Sequence, residues 1–370
     1  MTLRLVADDL TGALDAAAPF ARRNAPVAAF RDAQLASSHR GAWALDAATR
    51  GADEATADAR ARKIAPAQAK GLAFRKIDSL LRGHAAAEIA AAMRGGGFGS
   101  AVIAPAFPAQ GRVTRAGRQF ARGGDGAWRA VDVDLAEALA GKGLAPRVLS
   151  VAGGMDGPGV YLCDAETDGD MAAIAEAGRR LPGPVLWCGA PGLARALAGG
   201  PAAIRPLPPG PYLGVIGSRH ETTALEVEEL RRGSPHSVLF VGDGEVIGRA
   251  AARASQRLRA GLSTLLVLAL HDGRPENAGA VLDALAAAAA ALKPGALFAS
   301  GGDTLAALFS AAGTERLDVA GEVLPGVPLS TAVGGKWNGV AVVSKSGAFA
   351  AAQLLARLFE PAGEERRAQA

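Results

Sequence analysis

Short apolar runs that end at a glycine- or proline-containing turn and give way to a helical pattern recur along this whole chain. Leu3 to Ala7 leads into a helix over Gly12 to Ala21, Ala101 to Ala104 ends at a proline-rich loop, and Pro184 to Cys188 precedes a helix from Pro191 to Leu197. The texture resumes with apolar runs at Leu213 to Ile216, Val238 to Val241, Thr264 to Leu270, Ala296 to Ala299 and Val340 to Val343. Strand–helix alternation of this kind predicts parallel sheets covered by helices.

One stretch breaks the pattern. From Ile204 to Tyr212 the sequence reads IRPLPPGPY, in which the prolines exclude helix and central strand and favour an extended, semi-rigid connector. A chain of 370 residues is long enough for two cores. The predicted fold is therefore α/β with two domains, each a mainly parallel sheet flanked by helices: residues 1–203, a linker at 204–212, residues 213–360, and a polar tail at 361–370 beyond a last helix over Phe349 to Phe359.

Composition excludes several classes. The formal charge is only +4, with arginines scattered along the chain, so no basic patch for nucleic acid is expected. The mild stretch Ala278 to Ala291 contains Asp283 and is too alanine-rich to span a membrane. Met1 to Asp9 lacks the regions of an export signal, which predicts a cytoplasmic protein. Cys163 and Cys188 lie in apolar runs without spaced partners and read as reduced core residues. A homodimer is compatible with the sequence, but nothing in it specifies one.

In the second half, three corners share one design: an apolar strand, a turn of Gly with Ser or Thr, then a helix whose free N–H groups can hold an anion. They carry Gly217 and Ser218 in LGVIGSRHETT, Gly301, Gly302, Asp303 and Thr304 in ALFASGGDTLAALF, and Lys345 and Gly347 in VAVVSKSGAFA. Each alone could be an ordinary helix cap. Together, at strand carboxyl ends, they point to a nucleotide site, although neither GxxxxGK[ST] nor an early GxGxxG is present.

The first half is rich in acids and cations. VADDLTGALDAA places Asp8 and Asp9 at a strand end, with Thr11 and Asp15 at a helix entry. Asp8 and Asp9 are the candidates for accepting a proton from a hydroxyl or holding Mg²⁺; the simpler reading of Asp9 or Thr11 is a helix cap. FRKIDSLLRGH brings Lys76, Asp78, Ser79 and Arg82 together, a mixture suited to an acidic, hydroxylated ligand. The stiff loop APAFPAQG either presents Arg112 to the substrate or is a structural loop, and Arg50 either pairs with Asp46 or binds a substrate carboxylate.

Read together, ADDLTGALDAA, Arg50, RKIDSLLRGH, APAFPAQGR, IGSRHETT, SGGDT, LPGVP and SKSGAF resemble, in order, the four-carbon acid sugar kinase family. The resemblance implies an amino-terminal domain for the sugar acid and a carboxyl-terminal domain for ATP, with ATP-dependent phosphorylation of threonate, erythronate or an oxo-tetronate. It places ATP on Ser218, Gly301, Gly302, Asp303, Thr304 and Gly347, and substrate on Asp8, Asp9, Arg50, Lys76, Asp78, Ser79 and Arg82. The chain departs from the family pattern at Arg219 and His220, at His84, and at Ala348 in KSGAFA. The rival reading these departures raise is a non-catalytic sugar-acid-binding protein.

Overall fold

The computed structural model describes residues 2–360 apart from 23, 152, 218, 219, 243, 269–277, 348, 350 and 352. Ser218, Arg219, Ala348, the end of the run predicted to reach Leu270 and the predicted tail at 361–370 thus lie outside the described residues. The chain forms two compact units, Met1–Ala203 and Ile204–Ala370.

In the first unit the strands are β1 (Leu3–Ala7), β2 (Val27–Phe30), β3 (Trp43–Asp46), β4 (Leu72–Lys76), β5 (Ser100–Ala104), β6 (Arg112–Arg115), β7 (Arg118–Arg122), β8 (Trp128–Ala130), β9 (Pro146–Leu149), β10 (Val160–Cys163) and β11 (Val185–Gly189). The helices are α1 (Leu10–Ala17), α2 (Ala33–Ser38), α3 (Glu54–Gln68), α4 (Ala85–Gly96), α5 (Leu135–Gly141), α6 (Asp168–Arg179) and α7 (Pro191–Ala198). A parallel sheet runs in the order β2-β3-β1-β4-β11-β5-β10-β9. Strands β6, β7 and β8 form a separate antiparallel sheet. Ile89, Ile103, Leu162 and Leu186 pack in one core, Val6, Trp43, Leu45 and Ile64 in another. Cys163 and Cys188 are buried, and burial pushes both thiols up to about 12.

The second unit contains β12 (Tyr212–Ile216), α8 (Glu221–Gly233), β13 (Val238–Val241), α9 (Gly244–Arg259), β14 (Thr264–Leu268), α10 (Ala278–Ala289), β15 (Ala296–Ser300), α11 (Gly302–Ala312), β16 (Arg316–Leu324), β17 (Val327–Val333), β18 (Ala341–Lys345) and α12 (Leu354–Phe359). Its order is β13-β14-β12-β15-β18-β17-β16, parallel as far as β18, with the β16–β17 hairpin antiparallel. The proline-rich stretch lies against this unit. Ile204 bridges Glu322, and the Arg205 N–H donates to the Glu322 carbonyl at 2.7 Å.

Two helices differ from their predicted extents. The helix expected over Gly12 to Ala21 begins at Leu10, because Asp9 caps it, and passes into a 3₁₀ turn over Ala18–Phe20 at Pro19. The last helix starts at Leu354 instead of Phe349. The Phe349 carbonyl accepts from Lys345 Nζ at 2.8 Å, the Ala351 N–H donates to Glu226 at 2.8 Å, and Gln353 has φ 62°, so these three described residues are held outside a helical ladder.

Candidate active site

In the first unit β1 lies between β3 and β4, and the chain leaves it toward β2 and β3 on one side and reaches β4 on the other. Loops that diverge at such a switch point leave a crevice at the strand carboxyl ends, where open α/β sheets bind ligands. Asp8, Asp9, Arg50, Lys76, Asp78 and Arg82 all belong to segments leaving this edge.

Asp9 caps α1: its Oδ1 accepts the Gly12 N–H at 2.9 Å, and its Oδ2 accepts the Thr11 hydroxyl at 2.9 Å. A Cβ on Gly12 would stand 2.4 Å from Asp9 Oδ1, so only glycine permits this approach. Arg50 then gathers the carboxylates. Its Nε and Nη2 donate to Asp8 Oδ2 and Oδ1 at 2.8 and 2.9 Å, its Nη1 donates to Asp9 Oδ2 at 2.8 Å, and Nη2 stands 3.5 Å from Asp78 Oδ1. Arg82 grips Asp78 with two further bonds of 2.8 Å. Lys76 is buried, its ammonium donating to the Ile77 carbonyl at 2.8 Å.

The backbone is strained on both sides of the cluster: Ala48 has φ 50° and Leu81 φ 58°, conformations costly for residues with a Cβ. Each lies in a loop that presents a site arginine.

Charges follow from this packing. Burial pushes the Asp8 carboxyl up, against the pull of Arg50 and Lys76. Burial acts the same way on Asp78, but the bonds from Arg82 and the charges of Arg50 and Lys76 win and hold it well below the usual carboxylate range. Burial would lower Arg50, yet Asp9, Asp8 and Asp78 hold it above its ordinary value. Arg112 is half-buried and close enough to Asp78 and Arg82 to feel both charges, while its guanidinium donates to the carbonyls of Gln110 and Gly111 at 3.0 and 3.1 Å. Arg50, Lys76, Arg82 and Arg112 thus face Asp8, Asp9 and Asp78, which leaves positive charge in excess for an anionic ligand. Ser79 is partly buried, its carbonyl accepting from Gln119 Nε2 at 2.9 Å. Asp15 is partly buried one turn beyond Thr11 on the same helix face.

Two readings are corrected. Arg50 does not pair with Asp46, whose partners are Arg31 Nε at 3.2 Å and the Ala48 N–H at 2.8 Å; Arg50 instead turns to the end of β1. The idea that Asp8 and Asp9 hold a resident Mg²⁺ does not fit either. One guanidinium bonds both carboxylates and would repel a divalent ion, and no group of His, Cys, Asp or Glu suited to a metal occurs among the described residues.

Asp46 itself supplies a pH test. Burial drives its carboxyl up to about 6, despite the bond from Ala48 and the charge of Arg31. Between pH about 4 and 6 the folded chain then keeps a proton that the unfolded chain has released, so this group's contribution to stability falls as pH rises through that window. The unfolding free energy of the parent, relative to Asp46→Asn, should improve by about 2 kcal/mol when pH is lowered from about 7 to about 4.5. Denaturant titrations at the two pH values measure this, and a constant difference would contradict it.

In the second unit β12, β15 and β18 are parallel neighbours, with Ile216, Ser300 and Lys345 at matching positions, so the turns after them lie side by side. Gly301 adopts φ 105°, ψ 139° at the start of α11, and its N–H donates to the Lys345 carbonyl at 3.0 Å. Gly302 and the exposed Asp303 open the helix. Thr304 is buried and its hydroxyl accepts the Gly217 N–H at 3.1 Å, tying the first turn to the second. Gly347 is held from behind, its carbonyl accepting from Thr223 Oγ1 at 2.7 Å.

Lys345 is placed differently from the phosphate-facing role predicted for it. Its side chain is 0% exposed and its ammonium contacts Glu226 Oε2 and the Phe349 carbonyl, each at 2.8 Å, so it anchors the loop.

Sequence reasoning missed a buried polar group behind the first cluster: Thr49, Gln68, Arg75 and Glu88. Single charged residues inside apolar runs, Arg75 in LAFRKI and Glu88 in AAAEIAAA, were its available signal. Glu226 carries no such signal on its exposed-looking helix.

Residues 3–138 match a family model described as a sugar-binding N-terminal domain, and residues 213–355 one described as a nucleotide-binding C-terminal domain. A D-threonate kinase from Cupriavidus necator is 34% identical to this chain, covering 99% of each protein. A D-threonate kinase from Bordetella bronchiseptica is 30% identical over 98% of each. A solved chain from Salmonella typhimurium LT2 superposes with a TM-score of 0.73 and 21% identity over 93% of this chain and 95% of its own. At that identity the likeness carries the fold alone.

Proposed function

Because this chain belongs to the four-carbon acid sugar kinase family, whose members phosphorylate a hydroxyl of a sugar acid, we propose that it transfers the γ-phosphoryl group of ATP to a hydroxyl of a threonate-like acid. The observation that carries this reading is the assembly of Arg50, Lys76 and Arg82 with Asp8, Asp9 and Asp78 at one sheet edge, with Arg112 of the separate sheet near Asp78 and Arg82. Cations there suit the carboxylate of the acid and the carboxylates suit its hydroxyls.

In this reading Asp9 accepts the proton of the attacking hydroxyl. Both carboxylates are hydrogen-bonded through both oxygens, but the Asp9 side chain is 14% exposed against 3% for Asp8, which makes it the one a ligand can reach. As the hydroxyl oxygen bonds to the γ-phosphorus, the bond to the β-phosphate oxygen breaks and ADP leaves. Asp8 then holds Arg50 instead of acting on substrate. Mg²⁺ enters with the nucleotide, bound to its phosphates as part of that substrate. The phosphates are assigned to the backbone amides of Gly302, Asp303 and Thr304, at the turn that Gly301 shapes, and to Ser218 and Gly347, with the Asp303 side chain at the rim and Lys345 as loop anchor.

Incubation with ATP, Mg²⁺ and a panel of four- and five-carbon sugar acids tests the proposal. A phosphomonoester formed in step with ADP supports it, whereas tight binding of an acid without ATP consumption would favour the non-catalytic reading. Gly301→Ala should raise the KM for ATP about tenfold or more, since a Cβ at φ 105° costs about 1–3 kcal/mol and shifts the turn. The KM for the acid should stay within about twofold, because that site is built on the other unit. Steady-state kinetics with each substrate varied in turn separates the two.

A further inference from the structure

We propose that the buried chain Thr49–Glu88–Arg75 is a positioning device that sets where Arg50 stands relative to Asp78 and Arg82. The inference rests on the reading of that cluster as the sugar-acid site.

Arg50 is presented by the loop after β3, and Asp78 and Arg82 by the loop that runs from β4 into α4. The backbone alone fixes the first loop only at one end: the N–H groups of Thr49 and Arg50 donate to the Asp8 carbonyl at 3.0 and 3.1 Å. Two side chains tie it to the second loop: His84 Nε2 stands 2.7 Å from the Ala52 carbonyl, and Thr49, next to Arg50, reaches the start of α4. The Thr49 hydroxyl donates to Glu88 Oε1 at 2.6 Å, the length of a charge-assisted bond, and Glu88 lies on the first turn of α4.

Glu88 is in turn held by Arg75 of the central strand β4, whose Nη1 stands 3.6 Å away. Arg75 is steadied by Gln68 Oε1 at 3.5 Å, and Gln68 Nε2 donates to the Phe74 carbonyl at 2.8 Å. Thr49, Glu88 and Arg75 are each 2% exposed or less, so no part of this chain touches ligand.

A buried ion pair of this length is a poor source of stability, since desolvation consumes what the attraction returns and apolar packing would serve as well. What it does supply is a fixed distance between two loops. The 3.5 Å spacing of Arg50 Nη2 from Asp78 Oδ1 spans those same two loops. Thr49 is therefore a positioning residue that acts through Arg50.

Thr49→Val removes the hydroxyl and keeps the shape, and Thr49→Ser restores the hydroxyl. The expected result is at least a tenfold rise in the KM for the sugar acid in Thr49→Val, an unchanged KM for ATP, and a return to within about twofold of the parent in Thr49→Ser. A purely structural role would lower the melting temperature or the active fraction, and with it kcat, while leaving both KM values alone; that outcome overturns the proposal. Crystal structures of the parent and Thr49→Val decide it independently of substrate. Arg50 moved off Asp8 and Asp78 supports the device, and Arg50 unmoved overturns it. A parent inactive on every sugar acid would instead sink the functional reading and leave the crystallographic result to judge Thr49.

Discussion

Asp9→Asn is expected to lower kcat by about 10²- to 10⁴-fold, the usual contribution of a positioned general base, while the affinity for ATP changes by no more than about twofold. The substitution is mild for the fold. Asparagine caps helices as well as aspartate does, so the bond from the Gly12 N–H to Oδ1 survives and α1 keeps its start. What is lost is the negative oxygen that faces Thr11 and Arg50 and, in the proposed mechanism, takes the proton of the substrate hydroxyl. Rapid-quench or steady-state turnover with saturating ATP and acid measures it, and parent-like turnover would remove Asp9 from the chemistry.

Arg50→Ala should be the more damaging change, because it acts on fold and site together. Asp8 is buried and Arg50 is the side chain bound to both its oxygens, so truncation strands a carboxylate in a poorly solvated position. Breaking a buried pair in this way costs about 3 kcal/mol or more of stability. Loss of the clamp on Asp9 and Asp78 should also reduce kcat/KM for the acid by about 10³-fold, or about 4 kcal/mol. Arg50→Lys keeps the charge without the planar fork that reaches Asp8 and Asp9 at once, and should recover stability better than activity. Denaturant unfolding together with kinetics on both variants tests this. Equal losses of stability and activity in Arg50→Lys would contradict the proposed division.

Much of the architecture was legible because its signals are local. The runs at Leu3–Ala7 and Val238–Val241 are strands with the expected bounds, and the acidic turn at Asp8 and Asp9 does open a helix. The antiparallel sheet of β6, β7 and β8 was not anticipated, since short half-exposed strands in arginine-rich sequence carry little apolar alternation; the β16–β17 hairpin was not anticipated either, although β16 does alternate buried and partly buried residues from Arg316 to Gly321. Side-chain pairing was less legible still. Arg50 reaches back 42 residues to Asp8 instead of pairing with nearby Asp46, and the partner of Lys345 is Glu226, on a helix that begins the unit Lys345 almost ends. Composition and spacing identify such groups as candidates, but only the sheet order, with β1 between β3 and β4, decides which of them meet.

A crystal structure of the protein with a four-carbon sugar acid and a non-hydrolysable ATP analogue tests the central assignment most directly. The account predicts the acid's carboxylate bonded to the cations at Lys76, Arg82 or Arg112, a hydroxyl within about 3 Å of Asp9, and the triphosphate on the amides of Gly302 to Thr304. An acid bound away from the Arg50 cluster, or phosphates anywhere but at the glycine turns after β12, β15 and β18, would contradict it.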